Sequence, residues 1–387
     1  MIDKFLLFPY YLSLKLRDSY YKRPGRKAAG AEVPTLCIGN VTVGGTGKTP
    51  HVEMVLRMLR ESEELGGRSI AVLSRGYKRD STGFQQVIAA GSAEMFGDEP
   101  LQIKKKFPQV VVAVDKDRVE GADLLVHPEK LQGRKWARRC WNREFPAADY
   151  IVLDDAFQYR RLKADLNIIL IDYNRPVQKD KLMPWGRLRD LPSRLKDADI
   201  LIVTKCPTYL DEWEKGKWAK QLGVENYSTA TCTGTRKLRR GKEKEQTVLF
   251  TTIGYEPMVP VYPDEADSRF TYAHRLVLFT GIAKDMPLRA YLSDSYKEVK
   301  RFSFPDHHKY STADIQKVAA AVKEFPTACV ATTEKDAQRI VDTKKVPETL
   351  RQRLFQVPIN IQFLTPQEKE IFETMLEDRL RALRSEP

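Results

Sequence analysis

A glycine-rich segment at residues 42–49 carries the residue types that bind phosphate. Its glycines would let backbone N–H groups approach phosphate oxygens without side-chain clash. Lys48 would neutralise the β- and γ-phosphates of a nucleotide, and the Thr49 hydroxyl would bind Mg²⁺. A chance glycine-rich turn is the alternative, because Thr42 stands where the general pattern has glycine. The expected nucleotide contacts are Thr42, Val43, Gly44, Gly45, Thr46, Gly47, Lys48 and Thr49.

The flanking sequence favours a nucleotide-binding loop. The apolar run Thr35–Val41 predicts a strand before it, and Pro50 fits the first turn of a helix after it. A helix N-terminus would add a favourable dipole for a bound anion. Strand, loop and helix in this order are the context that a P-loop requires. The apolar positions that give the helical spacing are Val52, Val55, Leu56 and Leu59.

Two adjacent carboxylates, Asp154 and Asp155, end the apolar run that begins at Tyr150. An acidic residue after a buried strand is where P-loop proteins hold Mg²⁺. A buried strand that ends in solvated aspartates is the alternative. The P-loop in the same chain favours a magnesium site, and therefore ATP and Mg²⁺ as cofactors.

Short apolar runs alternate with helical patterns along the chain. Continuous apolar runs predict strands buried on both faces, as in a parallel sheet covered by helices. In the first half, strands are predicted at Thr35–Val41, Ile70–Leu73, Val110–Asp115, Tyr150–Asp154, Leu166–Asp172 and Ile200–Thr204. In the second half, they are predicted at Leu276–Thr280, Val299–Phe304, Ala328–Thr332 and Leu354–Leu364. Between the halves, Val248–Ile253 and Val259–Tyr262 are predicted to form a hairpin or linker strands.

These patterns predict an α/β protein with two domains. A P-loop domain with a mostly parallel sheet would cover residues 1–228. Linker strands and a charged loop would follow at 229–272, and a smaller α/β domain would occupy 273–365. The last segment, about 366–387, has helical spacing and could pack back on the first domain.

Composition narrows the function classes only slightly. A net charge of +13 raises affinity for anionic surfaces, which include nucleic acid, acidic lipid and phosphorylated substrates. The five cysteines form no C-x-x-C pair, so neither a cysteine-bound metal site nor a disulfide framework is expected. A reducing cytosolic environment is favoured. No apolar run reaches the ~20 residues that span a bilayer.

The first 27 residues combine basic and aromatic side chains. Seven are basic and two are acidic, and an apolar helical stripe is possible. Such a helix suits a membrane interface with anionic lipids. A helix packed on the protein core is the alternative. A second basic and aromatic stretch, Arg134–Trp141, is predicted to be a solvated helix face.

Six segments in a fixed order are more specific than a P-loop alone. They are Gly39–Pro50, Leu73–Tyr77, Gly97–Pro100, Asp154–Gln158, Phe304–His308 and Thr332–Asp336. This set resembles the tetraacyldisaccharide 4′-kinase family of the lipid A pathway. The resemblance implies ATP-dependent phosphorylation of the 4′-hydroxyl of a tetraacylated glucosamine disaccharide 1-phosphate, which gives lipid IVA. It also implies a P-loop kinase domain, a two-stranded linker and a smaller α/β domain with the active site in the cleft between them. The protein would lie peripherally on the cytoplasmic face of the bacterial inner membrane.

The resemblance also implies catalytic roles. Asp98 corresponds to the family's catalytic carboxylate, His307 to the histidine that pairs with it, and Asp306 to the residue before that histidine. We expect Asp98 to accept the proton of the sugar hydroxyl, and His307 to orient Asp98 and tune its pKa. Lys48 and Mg²⁺ would neutralise the phosphates. From the residues alone, Asp98 could instead cap a helix, and His307 could belong to a polar turn.

The family's phosphate and metal contacts correspond to Lys48, Thr49 and the Asp154–Asp155 pair. The family has Gly, Leu and His at positions where this chain has Ala156, Phe157 and Tyr159. A Pro-Leu-Arg-Glu pattern is matched only loosely by Arg187–Asp190. No substrate role is therefore assigned to Tyr159 or Arg189.

Two other function classes are alternatives. Val203–Cys206 resembles the start of a guanine-reading loop, which would suit a membrane-associated P-loop GTPase or ATPase switch, but Pro207 stands where that loop needs Asp. The positive charge would suit a nucleic-acid-binding ATPase, but the basic residues are dispersed. We expect the lipid-linked disaccharide and a membrane surface as partners, and neither nucleic acid nor an obligate protein partner.

Overall fold

The computed structural model describes residues 2–21, 28–137, 139–238, 241–282, 284–305, 308–341 and 346–385. The chain divides into two compact units. The first comprises Met1–Ile253 and Ile361–Pro387, and the second comprises Gly254–Asn360. The predicted phosphate loop belongs to the first unit.

Strands occur in both units, and they are numbered in chain order. They are β1 (Thr35–Asn40), β2 (Ile70–Ser74), β3 (Gln85–Gln86), β4 (Val111–Val114), β5 (Tyr150–Asp154), β6 (Leu166–Asp172), β7 (Ile200–Thr204), β8 (Glu225–Ser228), β9 (Thr233–Lys237), β10 (Glu243–Tyr255), β11 (Val259–Pro260), β12 (Arg275–Thr280), β13 (Lys297–Ser303), β14 (Cys329–Thr333), β15 (Leu354–Val357) and β16 (Ile359–Phe363). The six strands predicted between residues 35 and 204 are all present, with ends that differ from the prediction by at most one residue.

The helices of the described residues lie mostly between the strands. They are α1 (Ile2–Tyr21), α2 (Lys48–Glu61), α3 (Ala93–Phe96), α4 (Asp98–Lys106), α5 (Arg118–Val126), α6 (Arg134–Ala137), α7 (Glu212–Gln221), α8 (Met286–Ser293), α9 (Thr312–Glu324), α10 (Glu334–Val341), α11 (Glu348–Arg351) and α12 (Pro366–Ser385). The helix expected after the phosphate loop is α2. None of the described helices is long and apolar enough to cross a membrane.

The sheet of the first unit is built around parallel strands in the order β4-β2-β5-β1-β6-β7-β10. At one edge β3 pairs antiparallel with β4, and at the other β9 and β8 continue antiparallel from β10. The predicted α/β class with a mostly parallel sheet is confirmed. Because β1 lies beside β5, the segments that follow these two strands leave the same edge of the sheet.

The central strands bury side chains on both faces of the sheet. In β5, Tyr150 and Val152 pack in one core, whereas Ile151 and Leu153 pack in the other. Helix α2 packs in the same core as Tyr150. Burial on both faces is the arrangement that a continuous apolar run predicts. The residues of α2 in this core include Val52, Val55, Leu56 and Leu59, which carried its predicted helical spacing.

Residues 229–253, which the sequence placed in a linker, add β9 and most of β10 to the first sheet. β10 pairs parallel with β7, so Val248, Leu249 and Phe250 are fully buried. An apolar run of this kind needs a neighbouring strand, and β10 finds one in β7. Of the two alternatives predicted for Val248–Ile253 and Val259–Tyr262, a hairpin or linker strands, the hairpin is wrong, because β11 pairs with β15 instead. Both chain crossings between the units fall near the paired strands β10 and β16.

The second unit has its own sheet in the order β11-β15-β14-β12-β13. β15, β14, β12 and β13 are parallel, and β11 is antiparallel to β15. The strand predicted at Leu354–Leu364 is in fact two strands, β15 and β16. Pro358 separates them, because it has no N–H to donate to a neighbouring strand. β15 belongs to this sheet, whereas β16 joins the sheet of the first unit.

Helix α12 belongs to the first unit and packs against the N-terminal part of it. Phe372, Leu376 and Leu380 are buried in the same core as α2. A buried ion pair also fixes the helix, since Lys215 Nζ of α7 donates to Glu368 Oε1 at 2.9 Å. Removing one partner of such a pair leaves an uncompensated buried charge, so the pair holds α12 to α7.

Candidate active site

The loop between β1 and α2 has the geometry of a phosphate cradle. It turns on two glycines with positive φ, Gly44 at 104° and Gly47 at 87°. Other residues rarely adopt these angles, which explains the glycines at both positions. α2 begins directly after Gly47, so the N–H groups of its first turn and the helix dipole lie at the end of the loop. This arrangement suits a bound anion.

Four side chains outside the glycines brace the loop. Asn40 Nδ2 donates to Thr46 Oγ1 at 2.7 Å, and Thr204 Oγ1 donates to the carbonyl of Thr46 at 3.0 Å. Lys205 Nζ donates to the carbonyl of Gly45. With the carbonyl groups held by these neighbours, the loop is fixed before any ligand binds. Sequence reasoning missed all of these contacts, although Thr204 and Lys205 belong to the segment that resembles a guanine-reading loop.

His51 is the fourth brace and links α2 to β10. Its Nδ1 lies 2.7 Å from the carbonyl oxygen of Gly47, and its Nε2 lies 3.1 Å from Thr251 Oγ1. Burial lowers the pKa of His51 to about 4, so the ring is neutral at physiological pH. A carbonyl can only accept, so Nδ1 carries the proton and Nε2 accepts from the Thr251 hydroxyl.

Lys48 and Thr49 occupy the first turn of α2. Lys48 Nζ lies 3.9 Å from Asp155 Oδ2, and Thr49 is buried. Asp155 directly follows β5 and has a φ of 51°. The predicted phosphate contacts and two predicted metal ligands, Thr49 and Asp155, therefore lie together in the first unit.

Asp154 is a buried carboxylate that its surroundings satisfy only in part. Its Oδ2 accepts from Ser74 Oγ at 3.1 Å, whereas its Oδ1 has no hydrogen-bond partner among the described residues. Burial, the charge of Glu99 and the charge of Asp155 together raise the pKa of Asp154 to about 7. A bound divalent cation would supply the missing partner and favour the ionised form, so this donor set fits Mg²⁺.

Glu99 is a residue of this site that sequence reasoning missed. It stands beside Asp98 in the Gly97–Pro100 segment, and its charge acts on Asp154. The signal was present, since two adjacent acids open a helix there. Asp98 itself is the first residue of α4 and is exposed. The N-cap position belongs to Gly97, whose φ is 93°, so the alternative of Asp98 as the N-cap residue is wrong.

Arg189, to which the sequence assigned no role, binds the Asp155 carboxylate. Its guanidinium donates to both oxygens of Asp155, at 3.0 Å for the Nη1–Oδ2 contact, and to Asn40 Oδ1. Tyr159 has a different partner, because its hydroxyl donates to Asp117 Oδ1 at 2.6 Å. Burial and the Asp117 contact raise the pKa of Tyr159 to about 12.

In the second unit, Asp306 and His307 lie outside the described residues. The neighbouring His308 stacks on Phe304 with 4.7 Å between ring centroids, and its Nε2 lies 3.0 Å from Asp314 Oδ2. His308 is therefore held in a local structural network.

The Thr332–Asp336 segment has a structural function in the same unit. Asp336 is buried, and its Oδ2 accepts from the N–H of Gly281 at 2.9 Å and from Thr333 Oγ1 at 2.7 Å. Thr333 Oγ1 in turn accepts from the N–H of Asp336 at 3.2 Å. These bonds fix the start of α10 against the end of β12.

Comparison with known proteins gives one consistent family. The family model described as Tetraacyldisaccharide-1-P 4'-kinase matches residues 5–381. A tetraacyldisaccharide 4'-kinase of Phocaeicola vulgatus is 33% identical over 377 residues, which cover 96% of this chain and 93% of that protein. Another, of Flavobacterium johnsoniae, is 32% identical over 368 residues, with 94% of each chain covered.

A solved structure is similar in fold along the whole chain. It is the "apo" form of LpxK from Aquifex aeolicus in complex with ATP, with a TM-score of 0.65 and 24% identity. The match covers 98% of this chain and 100% of that one. At this identity the likeness supports the fold described above.

Asp154 should make stability depend on pH. Its folded pKa of about 7 lies above the ordinary value of 3.8, so between these values the folded state binds more protons than the unfolded chain. Stability therefore declines as pH rises through this window, by an amount on the order of 4 kcal/mol, and the loss is complete above it. Denaturant titrations without metal should show this decline for the wild type and not for Asp154→Asn. Parallel pH profiles for the two proteins would contradict the assignment.

Proposed function

We infer that this chain takes the phosphate that it transfers from ATP held at residues 42–49. The chain belongs to the tetraacyldisaccharide-1-P 4'-kinase family, and it phosphorylates the 4′ position of its acceptor in lipid A biosynthesis. The observation that carries this proposal is the braced loop that leads from β1 into α2, with Lys48 and Thr49 in the first helical turn. Lys48 is proposed to neutralise the β- and γ-phosphates, while the loop N–H groups hold their oxygens.

Mg²⁺ is proposed to bind beside this loop. Asp154 is the best candidate for a direct ligand, because one of its buried oxygens lacks a partner, and the hydroxyl of Thr49 is a second candidate. The carboxylate of Asp155 is engaged by Arg189 and lies near Lys48, so we assign it mainly to positioning these two cations. Glu99 adds negative charge to the site. When bound, Mg²⁺ would neutralise phosphate charge and orient the transferred group.

Asp98 is proposed as the general base. A sugar hydroxyl is a weak nucleophile, and a positioned carboxylate can accept its proton as the bond to phosphorus forms. Asp98 is exposed and leaves the N-cap position of α4 to Gly97, and Glu99 beside it acts on Asp154. The roles of His307 in orienting this base, and of Asp306 before it, stay predictions.

The N-terminal helix α1 is proposed to rest on a membrane surface. One side of it packs on the rest of the first unit, since Leu14 is buried and Tyr10 Oη donates to the carbonyl of Arg189 at 3.2 Å. The packed helix that the sequence offered as an alternative thus describes that side. A second side exposes apolar residues four positions apart, which is the spacing of one helical stripe. These are Phe8, Leu12, Leu16 and Tyr20, with exposed fractions of 56%, 40%, 60% and 39%.

An exposed apolar stripe with basic neighbours suits the headgroup region of an anionic membrane. We therefore propose that the protein binds peripherally to the cytoplasmic face of the inner membrane, where its lipid-linked acceptor would be reached. No described helix offers a spanning alternative.

The catalytic proposal predicts a selective loss of turnover. Asp98→Asn should lower kcat by about 10²–10⁴-fold while the Kd for ATP stays near the wild-type value, because the amide cannot accept the proton. His307→Ala should also lower kcat. The assay follows labelled phosphate from ATP to a tetraacyldisaccharide 1-phosphate. Glu94→Gln, at an exposed position of α3 just before Asp98, is the matched control and should retain full activity. An Asp98→Asn enzyme with near-normal kcat would exclude Asp98 as the base.

The membrane proposal predicts that the apolar stripe drives vesicle binding. Replacing Phe8, Leu12 and Leu16 by Ser should weaken partitioning onto phosphatidylethanolamine–phosphatidylglycerol vesicles by about 10-fold or more, since three apolar contacts are lost. Sedimentation with vesicles measures this directly. A double change at the exposed Tyr272 and Met286 of the second unit is the control and should have little effect. Equal binding of the triple variant and the wild type would rule out the stripe as the anchor.

A further inference from the structure

The connection between β6 and β7 runs back along the phosphate loop. The N–H of Val43 donates to the carbonyl of Arg187 at 2.6 Å, and Thr42 and Leu188 form a β-bridge. The N–H of Arg189 then donates to the carbonyl of Val41 at 3.0 Å. Three consecutive residues of the connection are thus tied to Val41 and to the loop that follows it, so the backbone position of Arg187 is fixed.

The Arg187 guanidinium lies against the loop itself. A Cβ placed on Gly44 would be only 3.1 Å from Arg187 Nη1. Gly44 is one of the two positive-φ glycines on which the phosphate cradle turns. Arg187 is exposed, so its charged head stands at the open side of the loop.

Arg187 differs from the other cations around the loop, because each of those has an acidic partner. Lys48 and Arg189 both face Asp155, and Lys205 Nζ lies 2.8 Å from Asp172 Oδ2. Over the ranges of the chain that the structure describes, the Arg187 guanidinium makes no ion pair and no hydrogen bond, whereas its backbone is fully engaged. An anion at the loop would supply the partner that its neighbours already have.

We propose that Arg187 is a further phosphate-binding residue, which reaches from the β6–β7 connection to bind the nucleotide at the Gly44 side of the loop. A planar guanidinium can donate to two phosphate oxygens at once, which a lysine cannot do. An arginine in this place also stabilises the charge that spreads over the transferred phosphoryl group. This inference rests on the proposed binding of ATP at residues 42–49. Arg187 stands where the Pro-Leu-Arg-Glu pattern begins with proline, so the contact belongs to this chain's own sequence.

Calorimetric titration of the full chain with ATP and with ADP, both with Mg²⁺, tests the proposal. Arg187→Gln should weaken ATP binding by about 10-fold, the loss expected for one charge-assisted hydrogen-bonding group, and weaken ADP less. Arg187→Lys should retain part of the affinity, because it keeps the charge and loses the fork. Lys179→Gln removes an exposed charge from the same connection and should change neither Kd.

Lys48→Ala separates this proposal from the one on which it depends. If Lys48→Ala binds ATP as the wild type does, the assignment of the loop to ATP fails. If Lys48→Ala binds poorly and Arg187→Gln keeps both the wild-type Kd for ATP and the wild-type kcat, only the role of Arg187 is overturned. Thermal unfolding of Arg187→Gln should match the wild type, because an exposed side chain is removed.

Discussion

A carboxylate that is buried without full hydrogen bonding is the constraint on which the candidate site depends. Strand β5 is covered on both faces, so its last residue, Asp154, is taken out of water. Ser74 satisfies one of its oxygens, and Glu99 and Asp155 add negative charge nearby. Such a group is costly unless it is protonated or binds a cation. Beside the loop that is proposed to hold phosphate, the fold therefore places a carboxylate oxygen that has no hydrogen-bond partner within the described part of the chain.

Neighbouring carboxylates hold the positively charged side chains of the site in place. Asp155 takes both hydrogen-bonding arms of Arg189 and lies near Lys48, so two positive side chains are oriented before any nucleotide binds. Lys205 is held by Asp172 and supports the loop from β7. Preorganisation of this kind is what phosphoryl transfer requires, because positioning and charge neutralisation supply most of its catalysis.

The sequence predicted the local elements well and the long-range partners poorly. The strands that precede the phosphate loop and Asp154 were found because continuous apolar runs and glycines act locally. Arg189 was missed because its partner, Asp155, lies 34 residues away in the chain. Glu99 was missed because its effect on Asp154 arises only when α4 approaches β5, which no spacing rule encodes.

The boundary region was misjudged for a similar reason. The charged loop near residues 236–242 suggested a linker, but the buried run at Val248–Phe250 gains a partner in β7 that only the folded sheet provides. Pro358 was a readable signal, since a residue without an N–H divides the last predicted strand into two that serve different sheets.

The proposed role of Asp154 as a metal ligand is tested most directly by electron paramagnetic resonance. The signal is that of Mn²⁺, a spectroscopic substitute for Mg²⁺, bound to the protein–ADP complex. Asp154→Asn is expected to weaken Mn²⁺ binding by about 10-fold or more, because a charged ligand oxygen is lost. The exposed Glu94→Gln variant is expected to bind as the wild type does. Unchanged Mn²⁺ affinity and an unchanged spectrum in Asp154→Asn would contradict the placement of the metal at this buried carboxylate.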